Sequence, residues 1–324
     1  MSPERPQAAS VITYSPAYTL VPTYECFNRC SYCNFRVDPG QDEWLSLSEA
    51  ETRLRSLQSQ GVIEILVLSG EVHPDHSRRS LWFNHIYQLC HLALNLGFLP
   101  HTNVGPLRRD EMQRLSQVNV SMGLMLEQMT PKLLHTVHRH APSKDPQRRL
   151  QQLEWAGELH IPFTTGLLLG IGESPTDWQD TLRAIAEVHQ RYGHIQEVIL
   201  QPHSPGTSQI WEGDAFDTNS LPDVVAIARQ LLPPDITLQI PPNLVSVSTL
   251  MACLEAGARD VGGIGPTDEV NPDYPHPCDR TLAHHLEQAG WDLRPRLPIY
   301  LHHDDWLAPD LHNRVRAWRQ RLGS

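Results

Sequence analysis

The sequence predicts an α/β fold in which parallel strands close into a barrel, full or nearly full, followed by a short helical extension. Strand-like and helix-like segments alternate about eight times, which is typical of βαβ units and matches the strand count of a closed barrel. The 324 residues, 40% of them hydrophobic, suffice for one such barrel with a large core. We expect the barrel to occupy residues 1–275 and the extension, residues 276–324, to pack against it.

An open, doubly wound sheet is the alternative architecture. Such a sheet normally places a G-x-G-x-x-G turn after its first strand. Here the first predicted strand, residues 18–23, leads instead into a loop that contains three cysteines. This loop therefore favours the barrel.

Each predicted element follows from its pattern of apolar residues and from the signals at its ends. Short apolar runs predict strands at residues 18–23, 62–68, 98–102, 118–126, 163–169, 195–201, 237–240 and about 259–261. Helical periodicity predicts helices at residues 47–60, 81–96, 107–116, 131–140, 146–159, 176–192, 221–232, 247–256, 279–289 and 308–322. Ser48 and Glu51 have capping-box spacing in the first helix, and Thr176 is the expected cap of the helix over 176–192.

Composition excludes several classes of function. A formal net charge of −11 argues against a general affinity for nucleic acid, and no apolar run approaches the length that spans a membrane. The first ten residues are polar and do not resemble a signal peptide. Six cysteines spread over a long chain do not suggest a secreted disulfide framework, so we expect reduced thiols and a cytoplasmic location.

Cys26, Cys30 and Cys33 form a C-x3-C-x2-C motif in the loop after the first predicted strand. Three thiolates from one loop can bind a soft metal centre, but closed zinc and iron–sulfur sites normally have four protein ligands. The missing ligand leaves a position for a small molecule, which is a catalytic arrangement. Structural zinc is an alternative that needs a fourth ligand, and the next cysteine or histidine is the distant His73. Coincidental spacing is the other alternative.

Three further strand ends have residues suited to ligand binding, since catalytic groups of parallel barrels lie at the carboxyl ends of strands. After the second strand, small residues at 69–70 permit close backbone approach, and Glu71 can pair with an ammonium group. Glu127, at the end of the fourth, can accept two sugar hydroxyls. Gly170 and Gly172, after the fifth, let the backbone approach a ring or a phosphate. Ordinary turns and solvated glutamates are the alternatives at all three.

These motifs together resemble the radical S-adenosylmethionine superfamily. In that family three cysteines hold a [4Fe-4S] cluster, and the amino and carboxylate groups of S-adenosylmethionine chelate the fourth iron. The resemblance implies that Cys26, Cys30 and Cys33 are the cluster ligands. It also implies that the fold is the TIM-type (β/α) barrel of the radical S-adenosylmethionine kind.

The same resemblance implies the contacts of the cofactor. The aromatic residue before the last cysteine, Tyr32, would lie against the adenine. Residues 69–71 match the Gly-Gly-Glu motif that binds the amino group, with Ser69 in place of the first glycine, and residues 166–173 match the G-x-I-x-G-x-x-E motif beside the adenine. The implied cofactor-binding residues are Tyr32, Ser69, Gly70, Glu71, Glu127, Gly170 and Glu173.

A narrower resemblance is to the ammonia-releasing subunit of 7,8-didemethyl-8-hydroxy-5-deazariboflavin synthases. The matching segments are residues 24–35, 121–127, 194–201, 239–244 and 257–272. Gly265 replaces the serine of a Gly-Gly-Ile-Ser-Pro tract, and His276 replaces the tryptophan of a later Pro-Trp-Pro. The implied reaction converts 5-amino-5-(4-hydroxybenzyl)-6-(D-ribitylimino)-5,6-dihydrouracil to the deazaflavin, releasing ammonia, methionine and 5′-deoxyadenosine.

The implied substrate is rich in hydrogen-bond donors, so polar residues near the later strand ends are its candidate contacts. They are His101, Asn103, Gln201, His203, Asn243, Thr267 and Asp268, each with a structural or solvated role as the alternative. We expect Cys90, Cys253 and Cys278 to be packing residues or inert thiols, and residues 302–305 to form a solvated turn.

The implied partners are a companion radical enzyme and an electron donor such as ferredoxin or flavodoxin. Two alternative functions are left open. One is the companion enzyme itself, which joins a tyrosine-derived hydroxybenzyl group to 5-amino-6-ribitylaminouracil. The other is a zinc- or cluster-binding regulator without catalysis.

Overall fold

Eight parallel strands close into a barrel in this computed structural model, which describes residues 11–323. The strands are β1 Val11–Leu20, β2 Glu64–Leu68, β3 Leu99–Asn103, β4 Ser121–Gly123, β5 Phe163–Leu169, β6 Ile195–Pro202, β7 Thr237–Gln239 and β8 Asp260–Ile264. Each strand pairs with its neighbour in chain order, and β1 pairs with both β2 and β8. The ring is therefore closed, and the predicted barrel is confirmed. The predicted polar leader, residues 1–10, lies outside the described residues.

Helices surround this ring and cover its outer face. The helices are α1 Leu47–Leu57, α2 Arg79–Asn95, α3 Arg109–Leu115, α4 Pro146–Glu158, α5 Pro175–Tyr192, α6 Leu221–Leu231, α7 Val247–Ala256, α8 Asp279–Gln288 and α9 Pro309–Leu322. Every residue of β5 is buried, and the fully buried Trp82 of α2 and Phe163 of β5 belong to one hydrophobic core. Residues from successive βα units therefore pack into a single core, as alternating elements of a barrel do.

Several predicted boundaries were wrong, and turn chemistry explains two of them. The capping box of α1 is formed by Ser46 and Glu49, two residues before the predicted pair. The cap of α5 is Ser174, because Pro175 takes the first helical position, where its missing N–H costs nothing. The helix predicted at 131–140 is a short 3₁₀ turn, Pro131–His135.

The first and fourth strands also differ in length from the prediction. β1 begins at Val11 rather than at residue 18, because its first half has pairing partners on both edges. β4 covers only Ser121–Gly123 of the predicted 118–126. In both cases strand pairing, rather than the local apolar pattern, sets the ends.

A ninth strand, β9 Asp292–Pro295, extends the sheet beside the amino half of β1. The backbone N–H of Arg296 continues this pairing by donating to the carbonyl of Tyr14 at 2.8 Å. The carbonyl of Pro298 then accepts hydrogen bonds from Ser121 and Gln196, which lie near the amino ends of β4 and β6. Residues 296–298 therefore pass beneath the barrel. The division at residue 275 stays a prediction.

The structure also describes the predicted turn at residues 302–305 and the three cysteines outside the cysteine loop. Residues 302–305 lie in a 3₁₀ helix, where His303 and Asp304 are buried and Asp304 pairs with Arg319 at 2.5 Å; the expected solvated turn was wrong for these two. Cys90 and Cys253 are buried free thiols within the core, whereas Cys278 is exposed. Among residues 11–323, no helix is both long and apolar enough to cross a membrane.

Candidate active site

One cavity of about 370 Å³ runs through the barrel interior. Its wall extends from the cysteine loop, at the carboxyl ends of the strands, to Arg296 and Pro298 at the amino ends. Most of the residues predicted to bind ligands line it: Cys26, Cys30, Tyr32, Cys33, Ser69, Gly70, Glu71, His101, Asn103, Glu127, Gln201, His203, Asn243, Thr267 and Asp268. Gly170 and Glu173 do not.

Backbone hydrogen bonds hold the cysteine loop over the barrel. The N–H of Cys26 donates to Val37 at 3.1 Å, and that of Phe27 donates to the carbonyl of Glu71 at 2.9 Å. Farther along, the N–H of Arg29 donates to His140 at 2.8 Å. The loop is therefore tied to the end of β2 and to the segment between β4 and α4, so its position depends on the barrel and not on a metal alone.

The three thiols of this loop form part of one cavity wall. Burial raises the pKa of Cys26 to about 11 and that of Cys30 to about 12, and the nearby Cys33 adds to both shifts. Cys26 and Cys30 are therefore protonated until a cation binds, and binding would release their protons. Among residues 11–323, no group of three or more His, Cys, Asp or Glu side chains is arranged to hold a metal ion. The fit to a [4Fe-4S] cluster rests on three soft ligands that share one wall.

The end of β2 comes very close to the cysteine loop at Gly70. Its N–H donates to the carbonyl of Thr23 at 2.8 Å, and a side chain at position 70 would overlap the carbonyl of Glu25. The hydroxyl of Ser69, which stands where the family has glycine, accepts from the indole N–H of Trp82 at 3.1 Å. The serine is therefore accommodated by a buried partner.

Two buried cations lie beside the predicted cofactor carboxylates. Lys144 Nζ is 2.5 Å from Glu127 Oε1, and Arg149 is 3.8 Å from both Glu127 and Glu71. Burial acts to raise the pKa of Glu127, but Lys144 and Arg149 outweigh it, so the pKa is lowered and the carboxylate is ionised. Sequence reasoning missed both cations. The signal available was that Lys144 is one of only two lysines in the chain, with Lys132.

Glu173 has a local role in the turn after β5. Its carboxylate accepts hydrogen bonds from the N–H groups of Gly170 and Ile171, at 2.6 and 2.8 Å, and from the indole of Trp178 at 2.7 Å. Gly170 has a φ of +88°, which favours glycine. The carboxylate thus holds the turn in place, and the assignment of this pair to the cofactor stays a prediction.

An apolar pocket beside the cluster loop contains Tyr32. Its ring packs against a buried apolar cluster that includes Leu168 and Ile171, and Trp211 packs against the same cluster. The hydroxyl of Tyr32 lies 3.0 Å from Nε2 of His138. Trp211 belongs to a loop whose backbone donates to the carbonyl of Ser31 at 2.9 Å. The flat, mostly apolar surface suits an aromatic ring such as adenine. His138, like Trp211, was not predicted.

Some of the predicted substrate residues bind to each other. The amide of Asn243 donates to Asp268 at 2.8 Å, and Asn271 donates to the same carboxylate at 3.1 Å. His203 lies 3.1 Å from the side-chain oxygen of Gln209. The first bond joins the loops after β7 and β8, and the contact of His203 lies within the loop after β6, so the residues shape the cavity mouth as well as line it.

A charged cluster closes the opposite end of the cavity. Arg296 lies 2.5 Å from Glu197 and 2.6 Å from Asp260, and the hydroxyl of Tyr300 donates to Glu197 at 3.0 Å. Burial raises the pKa of Glu197 to about 7, with Asp260 adding to the shift and Arg296 opposing it. Sequence reasoning missed this cluster, because its members lie far apart along the chain and match no local motif.

Comparisons with known proteins agree with this geometry. Residues 20–185 match the family model described as the Radical SAM superfamily. The chain is 66% identical to a 7,8-didemethyl-8-hydroxy-5-deazariboflavin synthase of Trichodesmium erythraeum, covering 96% of this chain and 98% of the relative. It is 62% identical to the synthase of that name from Synechococcus elongatus, covering 98% and 95%.

Solved structures with this fold include two with low sequence identity. The FeFe-hydrogenase maturase HydG from Carboxydothermus hydrogenoformans superposes with a TM-score of 0.72 at 18% identity, covering 97% of this chain and 78% of that one. Methylornithine synthase superposes with a TM-score of 0.69 at 15% identity, covering 89% and 84%. At these identities the likeness shows the fold alone. The matched family model and the close relatives show more: the chain belongs to the radical SAM superfamily and, within it, to the 7,8-didemethyl-8-hydroxy-5-deazariboflavin synthases.

Proposed function

We propose that this enzyme performs the ammonia-releasing step of deazaflavin synthesis. It would convert 5-amino-5-(4-hydroxybenzyl)-6-(D-ribitylimino)-5,6-dihydrouracil to 7,8-didemethyl-8-hydroxy-5-deazariboflavin, with release of ammonia, methionine and 5′-deoxyadenosine, as a carbon–nitrogen lyase. The main support is the continuous cavity, which joins three free cysteines at one end to polar side chains along the barrel interior. A radical reaction on a polar substrate needs both parts in one enclosed space.

Cys26, Cys30 and Cys33 would hold a [4Fe-4S] cluster. The cluster and S-adenosylmethionine, when bound, supply hydrogen-atom abstraction after one-electron reduction. The proposed cofactor contacts are Tyr32, Ser69, Gly70, Glu71, Glu127, Gly170 and Glu173. The ionised Glu127 and the apolar surface around Tyr32 are suited to ribose hydroxyls and to a ring, respectively.

The barrel residues would orient the substrate and exclude water. His101, Asn103, Gln201, His203, Asn243, Thr267 and Asp268 are the proposed substrate contacts, and all of them line the cavity. Arg296 and Pro298 close the amino end, so the substrate would have its open path at the other end. By holding the rest of the substrate in place, these contacts would keep its benzylic carbon near the cofactor.

The proposed reaction would depend on two protein partners. The enzyme would work in the cytoplasm, receive its substrate from a companion radical enzyme, and take electrons from a donor such as ferredoxin or flavodoxin. Membership of the deazariboflavin synthases supports these partners, since their chemistry requires both the adduct and a reductant.

An anaerobic assay tests the proposal directly. The reconstituted protein is given dithionite, S-adenosylmethionine and the benzyl-uracil adduct, and we expect fluorescent deazaflavin and ammonia together with 5′-deoxyadenosine. Formation of the adduct from tyrosine and 5-amino-6-ribitylaminouracil, without deazaflavin, would identify the companion enzyme instead. A protein that binds a cluster but yields no 5′-deoxyadenosine would be the regulator.

A further inference from the structure

The inner end of the cavity has an unusual set of hydrogen-bonding groups. We use the term barrel floor for His101, Glu64, Glu197 and Arg296, which all line the cavity and belong to its amino half. Glu197 is occupied by Arg296, Tyr300 and Thr164. His101 and Glu64 are different, because each has one acceptor atom without a hydrogen-bond partner among residues 11–323.

The hydrogen bonds around His101 fix the position of its proton. The hydroxyl of Ser121 is 2.5 Å from the carbonyl of Pro298 and 2.7 Å from Nδ1 of His101. A carbonyl can only accept, so the serine gives its hydrogen to Pro298 and can only accept from the histidine. Nδ1 therefore holds the imidazole proton, and Nε2 has a free lone pair.

The imidazole of His101 is neutral at physiological pH. Burial and, to a smaller extent, the charge of Arg296 together lower its pKa to about 3. Gly123 makes room for the ring, since a side chain there would lie 2.9 Å from Nε2. Among residues 11–323, Nε2 has no hydrogen-bond partner, and the residue lines the cavity. Nε2 is thus an acceptor available to a ligand.

Glu64 provides a second available acceptor. The hydroxyl of Ser15 donates to its Oε2, and its Oε1 has no partner within residues 11–323. Burial raises the pKa of Glu64 and the charge of Arg296 opposes this shift, because the enclosed cavity disfavours charge. The two residues face the cavity from neighbouring strands, β2 and β3. A ligand group that fits here is uncharged and donates several hydrogen bonds.

We propose that the barrel floor is the subsite for the polyhydroxylated chain of the substrate, with His101 Nε2 and Glu64 Oε1 accepting its hydroxyl protons. The proposal rests on the proposed function, whose substrate has a ribityl chain. The aromatic end of the substrate then lies toward the cysteine loop. The five residues of β2 span roughly 13 Å between these ends, so an extended chain is needed to reach the floor.

A binding measurement on the reconstituted enzyme tests the subsite. With S-adenosylmethionine present and no reductant, the affinities of the ribityl adduct and of an analogue with an unsubstituted pentyl chain are compared in wild type and His101→Phe. We expect the variant to bind the ribityl adduct roughly five- to tenfold more weakly, as the loss of one hydrogen bond predicts, and to bind the pentyl analogue unchanged. Equal losses for both ligands, or no loss, would overturn the proposal.

Further variants separate a binding role from a structural one. His101→Gln keeps an acceptor and should recover part of the affinity, whereas His284→Phe, at an exposed site on α8, should change nothing. In turnover, His101→Phe should raise KM for the ribityl adduct more than it lowers kcat. Nitrogen-15 spectra of the imidazole should show the proton on Nδ1 and a shift of Nε2 when the adduct binds; a proton on Nε2 would contradict the assignment.

The outcomes for this subsite and for the proposed function are distinct. Wild-type enzyme that binds the ribityl adduct far better than the pentyl analogue, yet forms no deazaflavin, would refute the proposed function and support the floor assignment. Wild-type enzyme that converts both compounds with equal KM would refute the floor assignment alone. An enzyme that binds neither compound would refute both.

Discussion

Lys144 Nζ lies 2.5 Å from Oε1 of Glu127, and both side chains are largely buried at the cavity wall. Glu127 itself has a φ of +65°, a conformation uncommon outside glycine. The carboxylate proposed to meet the ribose is therefore ionised and held in place before any ligand binds. Preorganised charge of this kind avoids the cost of ordering a side chain on binding.

Lys144→Met should destabilise the protein by about 3 kcal/mol, because removing one member of a buried ion pair leaves the other charge uncompensated. Arg149, 3.8 Å from Glu127, still compensates part of the charge of that carboxylate, so we expect a loss at the low end of the range usual for buried ion pairs. Urea denaturation of the cluster-free protein measures it. The double variant with Glu127→Gln should lose less than the sum of the single losses, and additive losses would contradict the pairing. Arg55→Met breaks the exposed Arg55–Glu51 pair and should cost less than about 1 kcal/mol.

Cys30→Ala should abolish both cluster binding and cleavage of S-adenosylmethionine, because only two of the three thiolate ligands of the cluster remain. Iron and sulfide per chain, the visible spectrum and 5′-deoxyadenosine formation are the measurements. Cys278→Ala removes an exposed thiol elsewhere and should leave all three unchanged. Normal cluster content in Cys30→Ala would refute the ligand assignment.

Gly70→Ala should lower stability by about 1–3 kcal/mol and impair cofactor cleavage, since the added methyl group overlaps the carbonyl of Glu25. The backbone at the end of β2 and the cysteine loop would have to separate. Thermal unfolding and the rate of 5′-deoxyadenosine formation are the measurements. Ser69→Ala, at the neighbouring position, removes one of the two acceptors of the Trp82 indole N–H. The indole keeps the carbonyl of Gly70 as its other acceptor, so this variant should have a smaller effect on stability and rate. A variant at position 70 with wild-type stability and rate would contradict the close approach.

Glu197 should make stability depend on pH. Its pKa rises from an ordinary 4.5 to about 7 in the folded protein, so between these values the folded state binds more protons than the unfolded state. Its contribution to the free energy of unfolding is complete below pH 4.5 and is lost as pH rises through 7. The full change is about 3 kcal/mol, since the pKa rises by about 2.5 and each pKa unit corresponds to 1.36 kcal/mol.

Glu197→Gln should remove most of this dependence, which denaturation at pH 5 and pH 8 measures. Glu255→Gln changes an exposed carboxylate on α7 and should keep the wild-type profile. A Glu197→Gln protein with the same loss of stability between pH 5 and pH 8 as the wild type would show that another group titrates.

The barrel and the cavity mouth were largely predictable from sequence because their signals are local. The apolar pattern identified the strands, and β5, a largely apolar run, was predicted with its observed bounds, Phe163–Leu169. The cysteine motif and Gly70 also stand in short segments. A motif of adjacent residues folds with its geometry nearly fixed, so its meaning can be read without the tertiary structure.

The inner end of the cavity was not predictable, because its contacts are non-local. Arg296 meets Glu197 across 99 positions of sequence, and only the pairing of β9 with β1 brings them together. β9 itself has only four residues and a weak pattern. Glu173 shows the opposite case: its motif predicted a ligand contact, but its carboxylate is engaged by the turn that contains it.

The segment around Arg296 and Pro298 follows all eight barrel strands along the chain. During synthesis the amino end of the barrel therefore stays open to water until residues 292–298 emerge and β9 docks beside β1. Only then does Nε2 of His101 keep its free lone pair, because Ser121 accepts the proton of Nδ1 only when its own hydroxyl donates to the carbonyl of Pro298. A binding surface formed by earlier strands thus acquires its final chemistry only after residues 292–298 have been synthesised.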